Sequence, residues 1–198
     1  MSKKIAFIYT ETNGLHRKMS YKSVDAKNLH TWARLVALYY QIGYRDHNTK
    51  KIIIEKKKKI IIKPEDFTLN EQAAAIHLID TDTALEKGKD ISETLRELNN
   101  DLQGIDIIVC HNLEFHLRTL QAECFRTKIF INFSKAHLVD IMNFYHKVDY
   151  PKLEELTFQL VKKKYDKKPR SYRVIMVKKS FEKLYNMHEK KCLKQAKA

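Results

Sequence analysis

Residues 5–15 read Ile-Ala-Phe-Ile-Tyr-Thr-Glu-Thr-Asn-Gly-Leu: an apolar strand that runs straight into a single carboxylate, Glu11, and then a turn at Gly14. The run Ile5 to Tyr9 predicts a short strand of the buried type, so the fold is built around a sheet. Side chains at i and i+2 leave a strand on the same face. Tyr9 and Glu11 therefore stand side by side at the strand's end, one phenol beside one carboxylate.

Further elements follow from periodicity and punctuation. Arg34 to Tyr44 is rich in strand formers. Residues 51–63 carry two isoleucine triplets around Glu55 and four lysines. They predict one long strand or a pair, with charge guarding a sheet edge; the lysines' other use is contact with phosphates. Residues 16–31 are polar and irregular, as in a loop or insertion. Asn70 to Leu78 has helical spacing. Asp90 or Ser92 caps a helix through Leu102, with Leu95, Leu98 and Leu102 on one face and Gly104 as its stop. Asp106 to Cys110 predicts a buried strand, and Leu113 to Arg126 an amphipathic helix using Leu117, Leu120 and Cys124. Residues 138–146, 153–164 and 172–192 predict three more helices, the last long and basic. Three or four strands first, then helix, strand and helices, make an α/β layer fold with one mixed sheet.

A chain of 198 residues suits one domain, 1–198, with the basic helix at about 172–192 as part of it. Apolar content of 43%, with four glycines and three prolines, argues against a disordered chain. No run of 18 apolar residues and no charged-then-apolar leader is present, so neither membrane insertion nor export is expected. Cys110, Cys124 and Cys192 lack metal-type spacing, which points to a reduced, intracellular (cytoplasmic) compartment.

The net charge of +14 is unevenly spread. Residues 1–63 hold 15 Lys/Arg against 4 Asp/Glu, residues 64–126 hold 5 against 13, and residues 127–198 hold 18 against 7. Two basic blocks flank an acidic middle, a footprint suited to a polyanion. Lys162, Lys163, Lys164, Lys167, Lys168 and Arg170 cluster near Tyr165 and Tyr172, and basic residues interleaved with aromatics suit a nucleic-acid strand. A solvated helical face would have the same composition.

Several segments together resemble the DEDDh (DnaQ-like) 3′–5′ exonucleases. Residues 7–15 are similar to that family's first motif, Phe-Ile-Asp-Thr-Glu-Thr-Thr-Gly-Leu. Trp32 to Val36 looks like a second-strand entry, and Ile62-Lys63-Pro64, Ala75-Ile76-His77 and Ala84 to Gly88 look like the segment that follows. His111 to Phe115 resembles His-Asn-x-x-Phe-Asp, Tyr150 to Leu156 resembles Pro-Lys-Leu-x-x-Leu, and Ser171 to Val177 stands where the family has His-x-Ala-x-x-Asp-Val. In this order and spacing they imply a ribonuclease H-like mixed β-sheet flanked by α-helices.

The resemblance also implies a chemistry. The family holds two metal ions with four carboxylates, which stabilise the attacking and leaving oxygens of phosphodiester hydrolysis, and a histidine serves as general base. Carried across, one of these five groups survives, Glu11. Tyr9, His116, Ser171 and Met176 occupy the other positions. A phenol is neutral near pH 7, and a thioether is too soft for Mg²⁺. Glu11 then serves as a hydrogen-bonded structural acid, and Asp140 as a cap or surface residue. No cofactor is expected; Mg²⁺ or Mn²⁺ enters only if the site has been rebuilt.

What remains is suited to binding. The resemblance places Thr12, Gly14 and Leu15 beside a terminal nucleotide and keeps His111, Asn112 and Phe115. Asn112 has a structural alternative as a helix cap, and Phe115 as a core contact. The leading expectation is an exonuclease-fold protein without catalysis that binds DNA or RNA, or serves as a subunit in replication, repair or transcription. An active nuclease with a rebuilt site, and a protein-interaction scaffold without nucleic acid, are the alternatives.

Overall fold

The computed structural model describes residues 2–17, 23–144, 150–165 and 169–195, with side chains to residue 189. Strands β1 (Lys4–Thr12), β2 (Leu35–Arg45) and β3 (Ile52–Ile61) come first and pair antiparallel in succession. Helices α1 (Glu71–His77), α2 (Thr81–Lys87) and α3 (Ile91–Asp101) follow. Then come β4 (Ile107–Cys110), α4 (Leu113–Thr127), β5 (His137–Asp140), α5 (Leu153–Val161) and α6 (Arg173–Gln195). The sheet order is β3-β2-β1-β4-β5, with β4 parallel to β1 and β5 parallel to β4. This is the mixed α/β sheet expected from the sequence.

Strand alternation divides the apolar residues between two cores. Ile5, Phe7 and Tyr9 join Val109, Leu156, Val177 and Phe181 on the face covered by α5 and α6. Ala6 and Ile8 join Leu95, Leu98, Leu117 and Leu120 on the face covered by α3 and α4. The α3 helix begins at Asp90, whose Oδ1 accepts from Glu93 N at 2.7 Å, so Asp90 and not Ser92 is the cap. Gly104, at φ +72°, turns the chain towards β4. Gly43 has a different task. It sits at a register shift between β2 and β3, where a Cβ would stand 1.9 Å from the Ile53 carbonyl oxygen.

β3 is one long edge strand. Its lysines do more than repel neighbours: Lys56 Nζ lies 2.5 Å from Asp101 Oδ1, and Lys58 pairs with Glu97, both acids on α3. Part of the alternation of basic and acidic sequence blocks is thus internal pairing. Exposed pairs of this kind contribute well under about 1 kcal/mol each.

One expectation is corrected, and one element was not foreseen. The expected helix at 138–146 is not found over residues 138–144: His137–Asp140 pair with Ile107–Cys110 as the fifth strand, and Ile141–Phe144 form a 3-10 turn, while residues 145 and 146 lie outside the described residues. A four-residue strand is too short for its period to show in sequence, and it is held by β4 rather than by propensity. The α2 helix, unexpected from sequence, is capped by Asp80 Oδ1, which accepts from Thr83 N at 2.7 Å. Of the expected loop at 16–31, residues 18–22 lie outside the described residues. The remainder is irregular apart from a 3-10 turn at Leu29–Thr31.

Candidate functional site

The end of β1 that carries Glu11 is joined by an ion pair to the 3-10 turn just before α6. Arg170 Nε donates to Glu11 Oε1 at 2.8 Å, and Arg170 Nη2 lies 3.4 Å from Oε2. Glu11 is buried and Arg170 half-buried. Burial pushes the Glu11 carboxyl above its usual range, opposed by its hydrogen bond to Arg170 and that residue's charge. Burial also works against the Arg170 charge, but the hydrogen bond and charge of Glu11 outweigh it and raise its pKa. An arginine stays charged in proteins, so it is the guanidinium that holds the pair together.

Tyr9 leaves β1 on the same face as Glu11, as the i, i+2 rule required. Burial first, and then the Glu11 charge, push its phenol up to about 12. It is therefore a neutral group and no anionic ligand. A second guanidinium covers it: Arg173 lies 5.7 Å above the ring and pairs with Glu154 on α5. Arg170, Arg173, Glu154, Met176, Tyr165 and Ile76 line a pocket of about 260 Å³ beside this cluster.

His116, on α4, does not converge with Glu11. Thr10 N donates to its Nδ1 at 3.1 Å, and Thr10 Oγ1 lies 2.8 Å from the same nitrogen. The ring packs 4.7 Å from that of Tyr9. Burial lowers its pKa to about 3, with the neighbouring His111 adding to the effect. An imidazole whose acceptor nitrogen already takes a backbone N–H is neutral and structural. Ser171 lies in the 3-10 turn Arg170–Tyr172, and Met176 is buried in the α6 core.

These residues do not fit a two-metal centre. The Glu11 oxygens face a guanidinium, Tyr9 keeps its proton, His116 Nδ1 is taken, and Met176 offers only sulfur. Among the described residues no group of three or more His, Cys, Asp or Glu side chains could hold a metal ion.

The remaining candidates surround the end of β1. Thr12 Oγ1 donates to Gly14 O at 2.6 Å and shapes the turn, and Leu15 projects into solvent at 86% exposure. Phe115 is half-buried and stacks on His16 at 4.5 Å. His111 Nε2 donates to Pro151 O at 2.8 Å, tying the end of β4 to the start of α5. Asn112 occupies the cap position of α4 in the left-handed conformation, φ 62°, but its side chain makes no capping bond. Asp140 does that work from β5. Its carboxylate accepts from Asn112 N at 3.1 Å, Leu113 N at 2.8 Å and Met142 N at 3.0 Å. Lys162, Lys163 and Lys164 are exposed just past α5, while Lys167 and Lys168 lie outside the described residues.

Sequence reasoning missed Arg173, Glu154 and the pairing of Arg170 with Glu11. The available signal was two arginines three residues apart, in the stretch where the exonuclease pattern has its base and last acid. A second cluster also went unseen. Glu123, buried on α4, accepts through Oε1 from Arg34 Nε, Leu35 N and Arg126 Nη1 at 2.9–3.0 Å.

Sheet order and helix placement define the ribonuclease H-like fold of the DnaQ-like 3′–5′ exonucleases. Solved structures of exonuclease I share it. A product-bound form superposes with a TM-score of 0.65 at 14% identity, over 89% of this chain and 42% of that one. E. coli exonuclease I in complex with a 5cy-dT13 oligonucleotide gives 0.69 at 13% identity, over 94% and 41%. An SSB/exonuclease I structure in complex with the inhibitor CFAM gives 0.64 at 14%, over 89% and 41%. This chain thus spans about two fifths of their length. No family model matches the sequence, and no curated protein matches it. Among the described residues no helix is long and apolar enough to cross a membrane.

Proposed function

We propose that this chain is an exonuclease-fold protein without two-metal catalysis, which binds single-stranded DNA or RNA as part of a nucleic-acid-processing assembly. One observation carries the reading: the Arg170 guanidinium sits on Glu11, where the family resemblance would put metal. Losing a single such ligand costs orders of magnitude in rate. Here the retained carboxylate is itself engaged.

Binding needs no metal in this arrangement. Arg170 and Arg173 are each paired with a carboxylate, Glu11 and Glu154, so the charge that attracts a strand comes from the lysines near them. The exposed Lys162, Lys163 and Lys164 add a phosphate-attracting rim, and Tyr165 and Tyr172, 5.4 Å apart, offer aromatic faces near it. The exonuclease I neighbours include oligonucleotide and SSB complexes, which supports a nucleic-acid setting by likeness of fold.

The test is one gel carrying a 3′-labelled single strand and a duplex, each with Mg²⁺, Mn²⁺ or EDTA. Retention without shortening, equal in EDTA, is the expected result. Metal-dependent shortening that disappears in Glu11→Gln would overturn the reading.

A protein partner is the second reading, favoured by one surface. Phe125 and Phe130 are 48% and 79% exposed on a largely apolar groove of about 850 Å³ along α4 and the segment leading to β5. If no nucleic acid is retained at low salt, this reading takes the lead.

A further inference from the structure

A polar cavity of about 570 Å³ lies beside the Gly14–Leu15 turn, and several of the polar groups around it are hydrogen-bond donors. Arg34 is the centre of it. Its Nε is fixed to Glu123 Oε1 at 3.0 Å, and its guanidinium carbon lies over the Phe67 ring, 4.4 Å from the centroid. Its backbone is pinned at both ends of the peptide unit: Arg34 N donates to Asn13 Oδ1 at 2.8 Å, and Asn13 N donates to Arg34 O at 3.0 Å. The two terminal nitrogens, Nη1 and Nη2, have no hydrogen-bond partner among the described residues, although the side chain is only 19% exposed.

The neighbours have the same character. Asn13 Oδ1 is used by Arg34 N, and Asn70 Oδ1 by Gln72 N and Ala73 N. Both asparagines line the cavity, and the Nδ2 group of each has no partner among the described residues. Arg17 and His30 stand exposed at the mouth, and the acid there, Asp66, is also exposed. Charge points the same way. Arg34 and Arg126 share one carboxylate, Glu123, whose Oε2 has no partner, so the cluster carries a surplus positive charge. Both terminal nitrogens of Arg126 are engaged, with Glu123, Leu29 O and Trp32 O, whereas both terminal nitrogens of Arg34 are open.

A guanidinium held in place by stacking and by its inner nitrogen, with its outer fork open, is built for a tetrahedral oxyanion. We propose that this cavity is a phosphate-binding site, with Arg34 as its fork, Asn13 and Asn70 as neutral donors and Arg17 at its entrance. The ligand is a phosphomonoester or phosphodiester group, from a free mononucleotide or from the backbone of a bound strand. Only the backbone source rests on the nucleic-acid reading given above.

The experiment compares wild type, Arg34→Gln, Arg34→Lys and Arg17→Gln. Each is titrated with dTMP, followed by thermal shift against chloride at equal ionic strength, and with fluorescein-labelled dT12, followed by anisotropy. Arg34→Gln weakens the phosphate ligand roughly tenfold or more. Arg34→Lys, which keeps the charge but not the fork, lies between it and wild type. A dTMP shift lost in Arg34→Gln identifies the monoester source. An effect confined to dT12 identifies the backbone source. If dT12 is not bound but the dTMP shift depends on Arg34, the site stands and the nucleic-acid reading falls. If folded Arg34→Gln binds both probes as wild type does, the site is overturned and the nucleic-acid reading is untouched. Arg17→Gln changes an exposed side chain, so it decides the matter should Arg34→Gln fail to fold: a weakening supports the site and unchanged binding overturns it.

Discussion

Arg170 Nε lies 2.8 Å from Glu11 Oε1, across 159 residues of chain. The contact joins the end of the central strand to the 3-10 turn that leads into the last helix, and it puts a cation on the carboxylate of Glu11. Breaking it from one side leaves a buried carboxylate alone. Arg170→Met is expected to cost roughly 3 kcal/mol at neutral pH. Alone, the Glu11 carboxyl has a folded pKa further above its unfolded value, so the folded state favours its protonated form. Stability is then retained at low pH and lost as pH rises through the folded pKa. Urea denaturation at pH 5 and pH 8 checks this: the variant's deficit is larger at pH 8. Glu11→Gln combined with Arg170→Met costs less than the sum of the single changes.

His116 makes the protein acid-sensitive. Its folded pKa of about 3 is depressed below the unfolded value of about 6.5. The unfolded chain therefore binds a proton that the folded chain refuses. Stability is full above pH 6.5 and falls between there and pH 3. His16, His77 and His111, also lowered chiefly by burial, act in the same direction. His116→Asn, whose amide oxygen accepts from Thr10 N in place of Nδ1, removes up to about one proton's worth of this slope, 1.4 kcal/mol per pH unit. A series of denaturant midpoints from pH 4 to pH 7 measures it, and an unchanged slope would mean that His116 is protonated in the fold.

Asp140, not Asn112, caps α4. Asp140→Ala leaves the Asn112, Leu113 and Met142 amides without their acceptor, and is expected to cost about 2 kcal/mol. Asn112→Gly costs little, since glycine accepts the left-handed conformation and no side-chain bond is lost. Asn112→Ala costs about 1 kcal/mol through backbone strain alone. Chemical denaturation of the three variants tests the ranking, and equal losses for Asp140→Ala and Asn112→Gly would refute it.

The lysines past α5 act on a bound strand through charge. Replacing Lys162, Lys163 and Lys164 together by alanine weakens single-strand binding at low salt and lowers the slope of log K against log salt by up to about 2. All three are exposed, so the melting temperature stays within about 2 °C of wild type. Anisotropy at two salt concentrations reads both effects. A lower affinity with an unchanged slope would show that these residues act by some route other than phosphate contact.

The long, regular elements were legible because their patterns are local. The apolar run in β1 and β2, the leucine stripe of α3 and the amphipathic face of α4 each carry their period within a dozen residues. β5 was not legible: four residues hold as a strand because β4 lies beside them, and nothing in His-Leu-Val-Asp excludes a turn or a helix. Asn112 had the right position for a cap but the wrong backbone conformation, which its neighbours impose. The placing of Tyr9 beside Glu11 was correct from sequence because alternation along a strand is geometric.

By itself the sequence determined that the chain forms a mixed sheet covered by helices. Whether Glu11 stands open or engaged was decided only by the tertiary structure. So were the partner that caps α4 and the cation that keeps its hydrogen-bonding fork free. The reason is separation. Periodicity and turn chemistry are properties of neighbouring residues, whereas an ion pair across 159 residues exists only once the fold has brought the end of β1 to the turn before α6. Arg170 sits in a basic stretch and Arg34 just before β2, and neither context names its partner. Packing turns the first onto a carboxylate and sets the second in the wall of a polar cavity.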